Sequence, residues 1–126
     1  MTRRAKTRSD DPGRVAEVLN EVVLRGRVRH QPERRELPSG SVLVTLRLVV
    51  PRTTPGPGRA TSDWVDCTVW QPALHGRLAG WRAGDQVEVR GALRRRFYRA
   101  AGATGTRLEV EVLGGRMLRR SKDPTV

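Results

Sequence analysis

The chain has 126 residues, one cysteine, and 25 Lys+Arg against 13 Asp+Glu, for a net charge of +12. That length fits one domain, no run of about 18 apolar residues offers a transmembrane helix, and the basic N-terminus lacks the apolar stretch of a secretory signal. Cys67 cannot staple a fold alone, which fits a reducing, cytoplasmic setting, and so basic a chain points to a polyanionic partner, nucleic acid first among them.

Residues 1–19 read as a flexible extension, with Asp10, Asp11, Pro12 and Gly13 as a turn cluster. The charge is not concentrated there, because residues 20–120 hold nineteen basic and nine acidic side chains. From residue 22 onward the pattern has period two, the signature of half-buried strands. Over residues 22–29, Val22, Leu24, Gly26 and Val28 share one face and Arg25, Arg27 and Arg29 the other. Over residues 41–50, Val42, Val44, Leu46, Leu48 and Val50 share a face. Residues 51–62, rich in Pro, Gly and Thr, predict a long exposed loop. Over residues 63–70, Val65, Cys67 and Val69 face inward, opposite Trp64, Asp66, Thr68 and Trp70.

A helix interrupts the series. Pro72 suits its first position, and Leu74, Leu78 and Trp81 fall on one stripe; Gly76 and Gly80 keep it short. Strands resume over residues 86–98. There Val87, Val89, Leu93 and Phe97 take the inward parity, with Gly91 among them, and Arg90, Arg94, Arg96 and Tyr98 the outward one. Residues 100–105 predict a second loop of small residues. Over residues 106–113, Leu108, Val110 and Val112 oppose Arg107, Glu109 and Glu111. Residues 121–126 read as a disordered end. Five amphipathic strands with a helix between the third and fourth predict an all-β fold, a five-stranded Greek-key barrel of the OB type over residues 20–120.

The aromatic residues sort by parity. Trp64 and Trp70 lie on the polar face of the third strand, roughly 20 Å apart, where they offer stacking platforms to bases; a covering loop or subunit is the competing explanation. Tyr98 joins Arg90, Arg94 and Arg96 on the polar face of the fourth strand, and arginines both attract phosphates and stack on bases. Phe97 has the parity of core or rim, and Trp81 that of core. Nothing here predicts an enzyme or a cofactor: His30 and His75 lack further ligands at metal spacing, and the glycine loop lacks the Lys-Ser/Thr of a phosphate cradle.

Several segments, in register, resemble the bacterial single-stranded DNA-binding protein family. Asn20–Val28 is similar to its opening Asn-x-Val-x-Leu-x-Gly strand, and Pro32–Gly40 to its Pro-Glu-x-Arg link. Asp63-Trp64 with Val69-Trp70 resembles its acidic-Trp strand, Arg82–Leu93 its Gly-x-x-Val-x-Val-x-Gly-x-Leu stretch, and Leu93-x-x-Arg96-Phe97-Tyr98 the segment that ends in a stacking aromatic. The resemblance implies an OB-fold that assembles as a homotetramer and binds single-stranded DNA without sequence preference in replication, recombination or repair. It places Trp64, Trp70 and Tyr98 on stacking positions, and Trp81 where the family has a structural aliphatic residue. Residues 49–52 lack a further stacking tryptophan that the family often has. The family's acidic C-terminal tail has no counterpart in residues 123–126, nor has the segment 1–19 one in the family, which implies a specialised paralogue. Two other readings stay open from the residues alone: an OB-type RNA-binding factor of translation or the ribosome, and a structural subunit that buries Trp64 and Trp70 in an interface.

Overall fold

Each stretch of alternating residues becomes a strand because one side of it can be shielded from water while the other keeps its polar groups wet. A computed structural model describes residues 17–54, 56–58 and 60–122. The extension expected over residues 1–19 lies outside the described residues up to residue 16, and the end expected over 121–126 does so from residue 123. The elements in chain order are β1 (Val22–Val28), β2 (Glu33–Glu36), β3 (Val42–Pro51), β4 (Ser62–Val69), α1 (Pro72–Ala79), β5 (Gln86–Ala100) and β6 (Ala103–Arg119).

β1 pairs with β5, β5 with β6, β6 in parallel with β4, β4 with β3, and β3 returns to β1. That circuit closes a five-stranded barrel with α1 between its third and fourth strands, the OB arrangement the sequence predicts. β2 stands outside the circuit and, among the described residues, pairs only with β3. Its residues, Glu33, Arg34, Arg35 and Glu36, are all exposed, so no apolar alternation announces it in the sequence.

The core takes the inward sets of all five barrel strands, among them Val28, Leu46, Leu48, Val69, Val87, Val89, Val110 and Val112. α1 packs against β3, β4 and β6 and contributes Leu78, which is fully buried. Trp81, two residues beyond the helix, is also buried, its ring seated against Gly115, where a Cβ would lie 3.0 Å from it. His75 Nε2 lies 2.9 Å from the Val69 carbonyl oxygen and ties the helix to the end of β4.

β5 and β6 are longer than their periodicity indicates. The expected loop over residues 100–105 is instead a two-residue turn, Ala101-Gly102, with both φ positive (53° and 79°) and the strands paired up to Ala100 and Ala103. Two positive φ values give the twist that a tight hairpin needs. The register slips between Arg90 and Gly91, where β6 inserts one extra residue and the hairpin bends. A Cβ on Gly91 would collide with the Glu111 carbonyl oxygen, so this close approach requires glycine. Beyond the bend the hairpin leaves the barrel. Leu93, Phe97 and Leu108 therefore keep the inward parity but are exposed, and the expectation of a core or rim Phe97 is corrected: among the described residues no second layer covers that face.

Candidate nucleic-acid interface

The register of the closed barrel brings the outward sets of three neighbouring strands together. Val49 stands opposite Trp64, Arg47 opposite Asp66 and Thr45 opposite Thr68 across the β3–β4 ladder. Trp64 is 57% exposed, and the guanidinium carbons of Arg29 and Arg47 lie 4.8 Å and 5.2 Å from its ring centroid. Arg47 also donates from Nε to Asp66 at 2.9 Å, which fixes it beside the ring. Arg27 lines the same hollow as Arg29 and Trp64.

From β4 the contacts pass to the hairpin. The Thr68 hydroxyl donates to Glu109 Oε2 at 2.9 Å, and Arg96 Nη1 donates to the same oxygen at 3.1 Å. Arg96 in turn lies 5.1 Å from the ring centroid of half-buried Trp70. Between the two tryptophans runs a groove of about 240 Å³, lined by Arg35, Arg47, Asp66, Thr68, Arg107 and Glu109 among others. Glu109 Oε1 is buried and accepts no hydrogen bond from the described residues; Arg107 Nε stands 3.7 Å from it. Tyr98, about half exposed, rests its ring on Gly105 across the hairpin, where a Cβ would lie 2.6 Å from the phenol oxygen. Arg94 donates to Glu111 at 2.7 Å.

The predicted residues thus divide. Trp64, Trp70, Arg27, Arg29 and Arg96 belong to one face, and Arg94 and Tyr98 continue it along the hairpin. Arg25 and Arg90 turn instead to Glu88, with Arg116, at 2.7, 3.4 and 3.1 Å. The hydrogen bonds from Arg25 and Arg116 outweigh burial and hold the Glu88 carboxyl down at about 2. Arg47 and Glu109 escaped the sequence reading although each had a signal, its parity opposite the apolar set of its strand; that Glu109 is buried is decided only by the fold.

Other ionisable groups are structural. Burial, then the neighbouring Asp66 and Glu109 charges, push the Cys67 thiol up to about 12, which makes it a poor nucleophile. A hydrogen bond from Arg52 holds Asp63 below the ordinary carboxylate range at the base of the 52–61 loop. Burial raises Asp85, but the backbone N–H groups of Ser121 and Arg82, with Arg120, overcome it and keep the carboxyl low. Among the described residues no group of three or more His, Cys, Asp or Glu could hold a metal ion, and no helix is long and apolar enough to cross a membrane.

A closed OB-type barrel with exposed tryptophan and tyrosine rings among arginines defines the class. Residues 19–118 match the Single-strand binding protein family, and the chain belongs to it. It is 32% identical over 82 residues to single-stranded DNA-binding protein 2 of Listeria innocua, covering 64% of this chain and 52% of that one. Against single-stranded DNA-binding protein A of Bacillus subtilis it is 34% identical over 82 residues, with 64% and 48% covered. The chain spans about half the length of these curated relatives. A solved structure described as Plasmodium falciparum SSB in complex with ssDNA superposes with a TM-score of 0.65 at 21% identity, covering 84% of this chain and 98% of that one; the likeness is one of fold.

Proposed function

We propose that this protein binds single-stranded DNA without sequence preference, stacking bases on Trp64, Trp70 and Tyr98 and meeting phosphates with arginines, in replication, recombination or repair. The observation that carries the reading is Trp64: a large ring 57% exposed and flanked by two guanidinium groups, on a chain of this family. A ring held open to solvent adds nothing to the core but offers every base the same π surface. The arginines around it supply the charge that follows a phosphate backbone. The protein acts by binding, without a catalytic step or cofactor, in the cytoplasm at the bacterial nucleoid.

The same proposal includes assembly as a homotetramer. Val23 on β1 is 46% exposed beside Arg25 and opposite Arg90, a surface that a partner subunit would cover. Light scattering at micromolar concentration tests this part alone, and a monomer mass would remove it without touching the binding face.

Titration of tryptophan fluorescence with oligo-dT tests the binding itself. Quenching is expected, with an affinity that falls with salt at a slope steeper than about −0.7 in log–log form, the value for one phosphate neutralised on a single strand. An unquenched spectrum would reject the stacking face. A matched rU oligomer bound more tightly than dT would transfer the face to RNA, where contacts to the 2′-hydroxyl decide.

A further inference from the structure

Beyond the bend at Gly91 the β5–β6 hairpin is a two-stranded arm, and its two faces differ in charge. Between Leu93 and Leu108 the chain has five arginines and no Asp or Glu. On the Tyr98 face the carboxylates of Glu111 and Glu109 reach up from the barrel and pair with Arg94, Arg96 and Arg107. On the opposite face stand Leu93, Arg95, Phe97 and Arg99 of β5, in register with Val110, Leu108, Thr106 and Thr104 of β6. Among the described residues no carboxylate pairs with Arg95 or Arg99; Arg95 Nη1 donates only to the Thr106 hydroxyl, at 3.0 Å. The less neutralised face of the arm is therefore the one turned away from Trp70 and Tyr98.

That face also carries the most exposed ring in the described chain. Phe97 is 76% exposed, against 49% for Tyr98, and Leu93 and Leu108 beside it are 45% and 52% exposed. Exposed apolar side chains grouped on one face are the mark of an interaction surface, and the surroundings of this strip select its partner. A second copy docked on the same strip would set Arg95 and Arg99 against their own counterparts with no carboxylate to compensate, which like charges oppose. A polyanion with flat apolar rings answers both features.

The edge of the arm points the same way. The Asn20 side-chain amide takes both the N–H and the C=O of Leu93, at 2.8 Å each, and ends the pairing on that side of β5. Further out, no strand pairs with this edge of β5 among the described residues. In an antiparallel ladder alternate residues present both backbone groups to the same side, so Arg95, Phe97 and Arg99 aim free N–H donors off the edge that joins the two faces.

We propose that the Phe97 face of the arm is a second single-strand-binding surface, on which Phe97 stacks a base and Arg95 and Arg99 hold the flanking phosphates, so that one strand crosses the β5 edge and engages both sides of the hairpin. This rests on the single-stranded DNA reading of the first face and extends it to residues on the far side of the ribbon. Leu93 and Leu108 form the apolar floor beside the stacked base.

The test compares wild type, F97A, F97Y, the double variant R95A/R99A and Y98A with oligo-dT of graded length at one salt concentration, with light scattering on each. Because Phe97 is exposed, its truncation leaves the fold intact, and a denaturation midpoint verifies this. F97A is expected to weaken binding of a long oligomer about 5- to 150-fold, the equivalent of one lost stack, and to leave unchanged an oligomer short enough to occupy the Tyr98 face alone. F97Y should restore the affinity. R95A/R99A should flatten the salt slope for the long oligomer by about 1.4, two phosphates' worth. The proposal is overturned if F97A binds long oligomers like wild type while Y98A does not, a result that leaves the first face standing. It is equally overturned if F97A changes the mass of the particle and not its affinity, which would make the strip a protein interface. Absence of oligomer binding by the wild-type chain at every length would reject both faces together.

Discussion

The barrel half and the arm half of the β5–β6 hairpin are built from one uninterrupted alternation, yet they come to opposite ends. In the barrel, Val87 and Val89 are completely buried; on the arm, Phe97 at the same parity is 76% exposed. Nothing in the residues marks the boundary except Gly91, which lets the Glu111 backbone press against it. Parity reports which side chains share a face; burial depends on whether another layer lies over that face. The two tryptophan environments repeat the lesson, since Trp81 is buried against Gly115 of β6 while Trp64 stays open between arginines.

Truncating the barrel side of this comparison should have the largest effect. Trp81→Ala is expected to cost about 3–5 kcal/mol of stability, because the ring leaves a cavity against Gly115 that the strands cannot collapse into, and to weaken DNA binding only through unfolding. A chemical denaturation midpoint close to wild type would mean that the ring is not the plug the fold suggests.

A second test concerns the charge cluster on the outer wall of the barrel. The folded Glu88 carboxyl sits at about 2 against an ordinary 4.5, so its contribution to stability is complete above pH 4.5 and is lost as the pH falls from there toward 2. Asp85 and Asp63, also held low, act in the same direction. Melting temperatures from pH 7 to pH 2.5 should fall through this window, and Glu88→Gln should be less stable at neutral pH and flatter below pH 4.5. Parallel curves for the two proteins would show that the three arginines do not favour the ionised form.

On the open side, Trp64→Ala, Trp70→Ala and Tyr98→Ala should each weaken single-strand binding by about 1–3 kcal/mol with the denaturation midpoint nearly unchanged. Gly105→Val sharpens this, since its side chain would occupy the space under the Tyr98 ring and should reproduce part of the Tyr98→Ala loss while leaving the ring in place. If Trp64→Ala behaves as Trp81→Ala is expected to, the ring is an interface or core residue and the contrast between the two sides fails.

The smallest effect is at the arm's tip. Ala101 holds a left-handed φ of 53°, which strains an L side chain, so Ala101→Gly should relieve about 1 kcal/mol of conformational cost. Glycine's greater freedom in the unfolded chain offsets part of that gain. A small rise in melting temperature with unchanged oligomer affinity is expected, and a fall would mean that the turn adopts another form in solution.

Much of the architecture was legible in the residues because strand alternation and the helical stripe of Leu74, Leu78 and Trp81 are local properties of consecutive side chains. The barrel, its helix between the third and fourth strands, the outward parity of Trp64 and Trp70, and the shared face of Arg94, Arg96 and Tyr98 follow from them. Other features depend on neighbours distant in the chain. β2 is a strand only because β3 offers it an edge, the arm is an arm only because β1 ends before it, and Arg25 and Arg90 turn from the tryptophan face because Glu88 is closer. The same cause buries Glu109 and exposes Phe97: a residue's own identity sets what it can do, and the surface folded over it from elsewhere decides whether it meets water, a carboxylate or another layer of the fold.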